Sequence, residues 1–499
     1  MRVAISYPPL PSEHGVPLLY QNRQFQWFTE PTYIYPMVPA YAATLLKEND
    51  FEVIWDDGIA EELKYEEWLD RIRRADPDLV VIESKTPVIK RHWRIIDELK
   101  EEVRNVRVAL VGDHVTALPL ESLENSSVDY VLTGGDYDFL LLSLAKYLDG
   151  RTGELEPGIY YREDGGIRST GNFAQDHDLN SLPFIDRDLT KWYLYAYKNG
   201  NFKHRPGTYT MAGRDCWWRR DGGCKFCSWT TIYPGFRVRR PELLVDEIEH
   251  VVDKYGVREV FDDTGTFPAG GWLRRFLNLM IERGLNERVR VGCNMRFGVL
   301  REEDYSLMRR AGCRFILFGY ESSNDETLRR LNKGITNRDQ VEGVRMASEA
   351  GLEPHLTIMF GYPWENREDV ERSFREAAEM IKRGHVKTWQ VTIVIPYPGT
   401  RLFEEAERNG WLLTRDWDDY DMKRPVMRTP LSEEEVVEVT RKMYQVAFSP
   451  QYVLRRIASI RDLDELRYVI WGARKMLGHV RDFMVTPGKG GARRGRKGG

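Results

Sequence analysis

The stretch TYTMAGRDCWWRRDGGCKFCSW, residues 208–229, decides how this chain is read. Residues 208–212 have the pattern of a short β-strand, which Gly213 ends. The loop that follows carries three of the chain's five cysteines, Cys216, Cys224 and Cys227. Thiolates are soft ligands, and close spacing on a flexible loop lets several converge on one metal centre. Gly222 and Gly223 permit a tight backbone path before Cys224. The other two cysteines, Cys293 and Cys313, fall in later apolar segments and read as small buried hydrophobes. An odd, low cysteine count over 499 residues argues against a disulfide framework.

Downstream of the loop the strand pattern returns at 259–261, 289–293, 315–318, 355–359 and 387–395. Helical periodicity separates these runs over 241–255, 272–283, 302–311, 338–350 and 369–383, with 402–409 closing the series. Six such units, without a seventh or eighth, predict an open, partial (β/α)6 barrel. In parallel α/β architectures chemistry collects on the loops that follow the strands, and the three-cysteine loop follows the first. A structural zinc normally takes four protein ligands in two pairs. Here the fourth candidates are poor, because Cys293 and Cys313 lie in or near later strands and His204 stands well upstream. Three cysteines leave one iron of a [4Fe–4S] cubane open to a substrate or cofactor. Loop position and ligand count together favour that open cluster over zinc or unligated thiols.

Upstream, strand-like runs begin at Arg2, Phe51, Asp78, Val106 and Val128, with helical patterns over 39–49, 65–75, 88–103 and 137–148. The alternation predicts a doubly wound parallel sheet over 1–150, with any ligand lying beyond the carboxyl ends of the strands. Gly112-Asp113-His114 and Thr133-Gly134-Gly135-Asp136 sit at two of those ends and read either as ligand-facing loops or as turns. Residues 151–205 are expected to form a linker containing a hairpin around Asp164-Gly165-Gly166. The barrel is expected over 206–412 and a helical region over 413–486, where Ser432 with Glu435 gives an N-cap signature. Glycine and basic residues predict a disordered tail over 487–499.

Composition bounds the rest. A hydrophobic fraction of 42% with 30% charged residues is that of a soluble globular protein, and the net charge of −4 gives no whole-molecule case for nucleic acid. No apolar run approaches the ~20 residues needed to span a bilayer. The opening MRVAISYPPLP lacks the features of a signal peptide, so a cytoplasmic location is expected.

The loop, with Phe226 between its last two cysteines, resembles that of the radical S-adenosylmethionine (SAM) superfamily. VFDDTGTF (260–267) is similar to the acidic second-strand loop of the subgroup with an N-terminal cobalamin-binding domain. RFGVL (296–300), AGC (311–313), FGYESS (318–323), FGYPWE (360–365) and PYPGT (396–400) match later landmarks in order and spacing. VGDHVTALP (111–119), VDYV (128–131) and GGD (134–136) resemble that subgroup's cobalamin domain. The likeness covers residues 1–410. One departure stands out: the usual C-x3-C-x2-C is here C-x7-C-x2-C, which enlarges the loop through Trp217, Trp218, Arg219 and Arg220. The N-terminal region also lacks the D-x-H-x-x-G signature by which some cobalamin domains supply a histidine to cobalt.

The resemblance implies a radical SAM enzyme whose cofactors are a [4Fe–4S] cluster, S-adenosylmethionine and cobalamin. It implies Cys216, Cys224 and Cys227 as cluster ligands, with Phe226 beside them. Asp262, Asp263, Arg296, Glu321 and Ser322, with Asn294, are implied near S-adenosylmethionine, each alternatively a loop ion pair or cap. His114, Gly134 and Gly135 are implied near the corrin, with a solvated loop histidine as the other reading of His114. The activity this implies is methylation of an unactivated carbon of a small-molecule or lipid-like substrate through a 5′-deoxyadenosyl radical and methylcobalamin. A radical oxidative cyclase or rearrangement enzyme is the alternative. A non-catalytic iron–sulfur electron carrier and a zinc-stabilised binding module are the readings from other classes. An external electron donor such as ferredoxin or flavodoxin is the implied protein partner.

Overall fold

The computed structural model describes residues 1–20 and 25–483. The tail expected over 487–499 lies outside them, as do the last residues of the region expected over 413–486. In the N-terminal part, β1 (Arg2–Tyr7), β2 (Glu52–Asp57), β3 (Leu79–Glu83), β4 (Arg107–Val111) and β5 (Tyr130–Leu132) run parallel in the order 2-1-3-4-5. β3 and β4 are almost entirely apolar, as strands covered on both faces must be. Helices Met37–Glu48, Tyr65–Ala75, Ile89–Glu102 and Tyr137–Leu148 supply that cover. The winding reverses between β1 and β3, the place where such sheets open a crevice.

The expected hairpin forms, but it does not belong to a linker. Its strands β6 (Ile159–Glu163) and β7 (Gly166–Ser169) extend the sheet antiparallel to β5, pairing Tyr130 with Tyr161 and Leu132 with Ile159. The otherwise open edge of β5 needs partners for its N–H and C=O groups, and the hairpin provides them.

The second sheet holds six parallel strands in sequential order: β8 (Gly207–Thr210), β9 (Glu259–Asp262), β10 (Arg290–Met295), β11 (Cys313–Glu321), β12 (Glu353–Phe360) and β13 (Thr388–Ile393). Local signals set its helices. Pro241–Tyr255 begins on a proline and stops at Gly256, whose φ of 63° is left-handed. The six strands do not close a barrel, so β13 is left as an edge. Helix Glu433–Gln445, capped by Ser432, covers it. The Tyr444 hydroxyl accepts from Val391 N (2.9 Å) and donates to Val391 O (2.9 Å), and the Trp389 indole donates to Met443 O at 3.2 Å. Beneath the strands, buried Arg314 donates to Glu259 at 2.6 Å and pairs with Glu353, while Lys203 reaches Glu353 at 2.6 Å. Glu465 of helix Leu463–Asp482 also pairs with Lys203, fixing the C-terminal helices to that underside.

Arg214, on the stem of the cysteine loop, joins the two sheets. Fully buried, it donates to Asp136 at 2.7 Å, to Asp138 at 2.9 Å and to the Gly135 carbonyl at 3.3 Å. Asp136 also pairs with Arg237 (2.6 Å) and with His177 Nδ1 (3.2 Å), whose Nε2 meets Glu156 at 2.9 Å. Burial disfavours the charged ring of His177, but these two carboxylates outweigh it and hold its pKa up to about 9. A raised pKa stabilises the fold fully below the unfolded value near 6.5, and the contribution fades as pH rises through about 9. Thermal melts between pH 6 and 10 are therefore expected to fall at the alkaline end, and His177→Phe to flatten that part of the profile.

Candidate active site

The loop expected to carry the chemistry is an excursion over 215–236, closed at its base by the antiparallel pair Gly213–Arg214 and Arg237–Val238. Asp262 builds its start. Its carboxylate accepts from Ala212 N (2.8 Å), Thr210 Oγ1 (3.1 Å) and Thr264 N (3.1 Å), and Thr264 Oγ1 accepts from Gly213 N at 2.9 Å. The seven residues between Cys216 and Cys224 are not loose. Trp217–Asp221 form one 3-10 turn, after which Gly222 and Gly223 take φ values of 86° and 70°, as their glycine identity allows. Distant residues pin this turn. Asn332 Nδ2 donates to Asp221 O (2.7 Å) and Gly223 O (2.8 Å), and Arg401 donates to Gly222 O at 2.6 Å. The Trp218 indole donates to Asn332 O at 2.7 Å. Lys225 is strung between Leu331 O, which its N–H reaches at 2.9 Å, and Leu402 N, which its carbonyl meets at 3.0 Å.

The three thiols line one cavity of about 160 Å3 at the carboxyl ends of the strands. Cys216 Sγ lies 2.9 Å from Thr266 Oγ1, and Arg296 approaches Cys224 Sγ at 3.8 Å. Burial pushes the Cys216 thiol up, opposed by the Thr266 contact. No cysteine is in a disulfide. Among the described residues no three His, Cys, Asp or Glu side chains close on one point, as a single ion requires. A cluster offers each thiolate its own iron, so ligands spread around a cavity wall suit a cluster better than zinc.

Of the residues expected at S-adenosylmethionine, Arg296 and Glu321 line this cavity, as do Asn294 and Phe226. The Arg296 guanidinium lies over Trp218 (4.4 Å) and Trp217 (5.4 Å) and donates to Lys333 O. Its buried Nε has no protein partner, nor has Asn294 Oδ1, although Asn294 Nδ2 donates to Thr264 O at 3.0 Å. One unmet donor and one unmet acceptor beside three thiols suit a ligand with a carboxylate and a polar amine or hydroxyl. Glu321 is held by buried Lys333 at 2.5 Å.

The other expected contacts lie elsewhere. Asp262 is turned toward Thr210, Ala212 and Thr264, and Asp263, with its N–H on Thr210 O at 2.9 Å, does not line the cavity. Ser322 donates to Glu365 at 2.5 Å and lies 3.2 Å from Ser373, in a buried polar cluster behind the site. His114 is neither solvated nor open to the cavity. It is 1% exposed, with Nδ1 at 3.1 Å from Thr86 Oγ1 and Nε2 at 2.9 Å from Glu121. Gly134 and Gly135 serve packing, since a Cβ there would stand 2.5 Å from Phe173 and 1.9 Å from Tyr233. Sequence reasoning missed Lys333, Asn332, Arg401 and Thr266, of which only Thr266 lies within a quoted motif.

The cavity continues toward the N-terminal sheet along Trp229, Ile395, Tyr397 and Met422. Burial, and then the nearby charge of Asp113, push the Tyr397 phenol well above its usual value. Asp113 follows β4, so the Tyr397 end of the cavity adjoins the carboxyl end of that strand. At the reversal point between β1 and β3, Tyr7 donates to Glu83 at 2.5 Å, and burial raises the Glu83 carboxyl to about 7.

Comparison with known proteins agrees with this layout. The model of the radical SAM superfamily matches residues 213–377, and that of the B12 binding domain matches residues 31–139. An uncharacterized methyltransferase of Pyrococcus horikoshii is 30% identical over 422 residues, covering 82% of this chain and 86% of the relative.

The chain belongs to the radical SAM superfamily.

Within that superfamily it is a cobalamin-dependent radical SAM enzyme, and its cofactors are a [4Fe–4S] cluster, S-adenosylmethionine and cobalamin. The anaerobic magnesium-protoporphyrin IX monomethyl ester cyclase of Cereibacter sphaeroides is 26% identical over 404 residues, covering 79% of this chain and 63% of the cyclase. The fold also matches a radical SAM methyltransferase of Kitasatospora setae solved with cobalamin and a [4Fe–4S] cluster, with a TM-score of 0.66 at 15% identity over 96% of this chain and 99% of that one. No helix among the described residues is long and apolar enough to cross a membrane.

Proposed function

We propose that this radical SAM enzyme methylates an unactivated carbon of a small, largely apolar substrate. The observation that carries the reading is one cavity running from three thiols, past Arg296 and Asn294, to Tyr397, which lies near Asp113 of the B12-binding region. A substrate held there has one cofactor on each side. The 30% identity to a methyltransferase supports methyl transfer. The second reading, oxidative cyclisation, is favoured by the 26% identity to a cyclase.

When bound, the reduced cluster with S-adenosylmethionine supplies a carbon radical able to abstract hydrogen, and cobalamin supplies a methyl group. The protein's own part is to bind, orient and exclude water. Cys216, Cys224 and Cys227 would hold three irons. Arg296, fixed against Trp218 and Lys333 O, would offer Nε to the carboxylate of S-adenosylmethionine, and Asn294 Oδ1 would accept from its amine or ribose. Trp218 and Phe226 close the cavity wall beside them, and Lys333 holds the Glu321 carboxylate in place at its edge.

The test is anaerobic reconstitution followed by reduction with S-adenosylmethionine present. 5′-Deoxyadenosine together with S-adenosylhomocysteine and a methylated product is expected. Deoxyadenosine alone with a cyclised product turns the reading to the cyclase, and no deoxyadenosine at all sinks both.

A further inference from the structure

A second cavity, of about 310 Å3, lies on the underside of the half-barrel, walled by β11–β13 above and by the C-terminal helices below. The strand registers show how it meets the first. Leu317, His355 and Thr388 are paired across β11, β12 and β13, and Gly319, Thr357 and Gln390 are paired two residues further on. Met359 and Thr392 form the next rung on β12 and β13. Residues two apart in a strand face the same side, so the rungs stack into one column inside the half-barrel. The lowest rung lines the second cavity and the higher rungs line the thiol cavity, with Leu317 and Gln390 belonging to both walls. Toward the other edge the same space is plugged by Tyr209 of β8, Phe261 of β9 and Phe315 of β11, in edge-to-face contact at 5.6 and 5.9 Å.

The second cavity's chemistry is specific. Trp389, Tyr452, Tyr468 and Trp471 make it aromatic, and half-exposed Phe448 and Ile457 stand at its mouth. Its cations are already engaged: Arg456 faces Glu465 at 3.5 Å, and Lys475, whose pKa burial lowers to about 7, donates to Glu30 O at 2.6 Å and Thr32 Oγ1 at 3.1 Å. Both cations therefore already have oxygen partners, which leaves neither free for an anionic ligand. Among the residues of this lining, His355 is the one with a buried side-chain atom that has no partner. Its Nδ1 is 2.8 Å from Thr388 Oγ1, while its buried Nε2 has no partner, and burial holds the ring neutral with a pKa near 3. A buried, unmet hydrogen-bonding atom in an apolar wall costs stability that a ligand group can restore.

We infer that this second cavity is the binding site for the apolar body of the substrate, a neutral molecule whose single hydroxyl or carbonyl meets His355 Nε2. The inference rests on the enzymatic reading above and deepens it. The Leu317–Gln390 boundary is then the passage through which the reacting end reaches the thiol cavity. The substrate enters from the face opposite the cofactors, so both cofactors stay in place between turnovers.

The test uses the full chain with its cluster reconstituted and N-phenyl-1-naphthylamine, a neutral probe that fluoresces in apolar surroundings. One saturable site is expected. Gly472 lines the cavity, and a Cβ there meets no heavy atom within 4 Å, so Gly472→Leu fills the space without a clash. It is expected to weaken the probe about tenfold, with cluster absorbance unchanged. 1-Naphthol should displace the probe roughly threefold to tenfold better than naphthalene, and His355→Leu should remove that preference. If Gly472→Leu does not fold, hydrogen exchange of the wild type decides, and the probe must slow exchange in 388–393 and 463–482. Absence of saturable binding, binding indifferent to Gly472→Leu, or binding lost only on changing exposed Leu466 or Ile470 to Asp overturns the assignment. None of these readouts needs turnover. Probe binding without deoxyadenosine formation refutes the enzymatic reading alone, and deoxyadenosine formation without probe binding refutes the cavity alone.

Discussion

Replacing any one of Cys216, Cys224 or Cys227 with Ala is expected to strip the cluster and lower 5′-deoxyadenosine formation by ~100-fold or more. Removing an outer-shell partner alone typically costs 10–100-fold in metal affinity, and loss of a direct ligand costs more. The three thiols are the only cysteines in the cavity wall, and Cys293 and Cys313 are buried in the core beneath it, so no substitute ligand stands near. The backbone of the loop is held independently by Asn332 and Arg401, so the variants should keep their fold. Iron analysis and the cluster's visible absorbance, read beside an unchanged far-ultraviolet circular dichroism spectrum, check both halves. A variant that kept full iron content would remove that cysteine from the ligand set.

Arg214→Met is expected to be the most destabilising single change at the junction of the two sheets. The guanidinium faces Asp136 and Asp138 inside the protein, and its removal leaves the Asp138 carboxylate buried without a cation. Burial already raises Asp138, and Arg214 is the main influence opposing it. Breaking a buried pair from one side costs about 3–5 kcal/mol, which for 499 residues corresponds to a fall of roughly 3–5 °C in Tm. Asp136 keeps Arg237 and His177, so Asp138 should carry most of the loss. Scanning calorimetry checks the size. Arg214→Met/Asp138→Leu should recover a large part of it, because the orphaned charge is then gone.

Much of this was legible in the sequence because local signals governed it. Tyr65–Ala75, Tyr137–Leu148 and Pro241–Tyr255 begin and end where periodicity and caps place them. The loop was legible because its three cysteines are close in sequence. What failed to show had long-range causes. Asn332, Lys333 and Arg401 reach the site only once later strands lie beside the first, and no spacing rule encodes that. An acidic residue at a strand end, such as Asp262, reads as a ligand-facing group, whereas its three hydrogen bonds tie the first strand and its stem to the second strand's loop. His114 misled for a similar reason, since Glu121 and Thr86 engage both ring nitrogens. The hairpin over 158–170 was visible as a hairpin, but its partner strand was not, because edge pairing depends on the completed sheet.

The suspension of Lys225 between Leu331 and Leu402 has a bearing on the order of events during synthesis. The cysteines leave the ribosome long before either anchor. At ~5–20 residues per second, Leu402 follows Cys227 by roughly ten seconds or more. Until then the three thiols belong to a segment that lacks its last tethers, those to Arg401 and Leu402. Cluster insertion is therefore expected to be a finishing step, made on a nearly complete chain. A chain ended before Leu402 should yield its iron to a chelator at least ~10-fold faster than the whole protein, and equal rates would show that the late anchors do not set the cluster's hold.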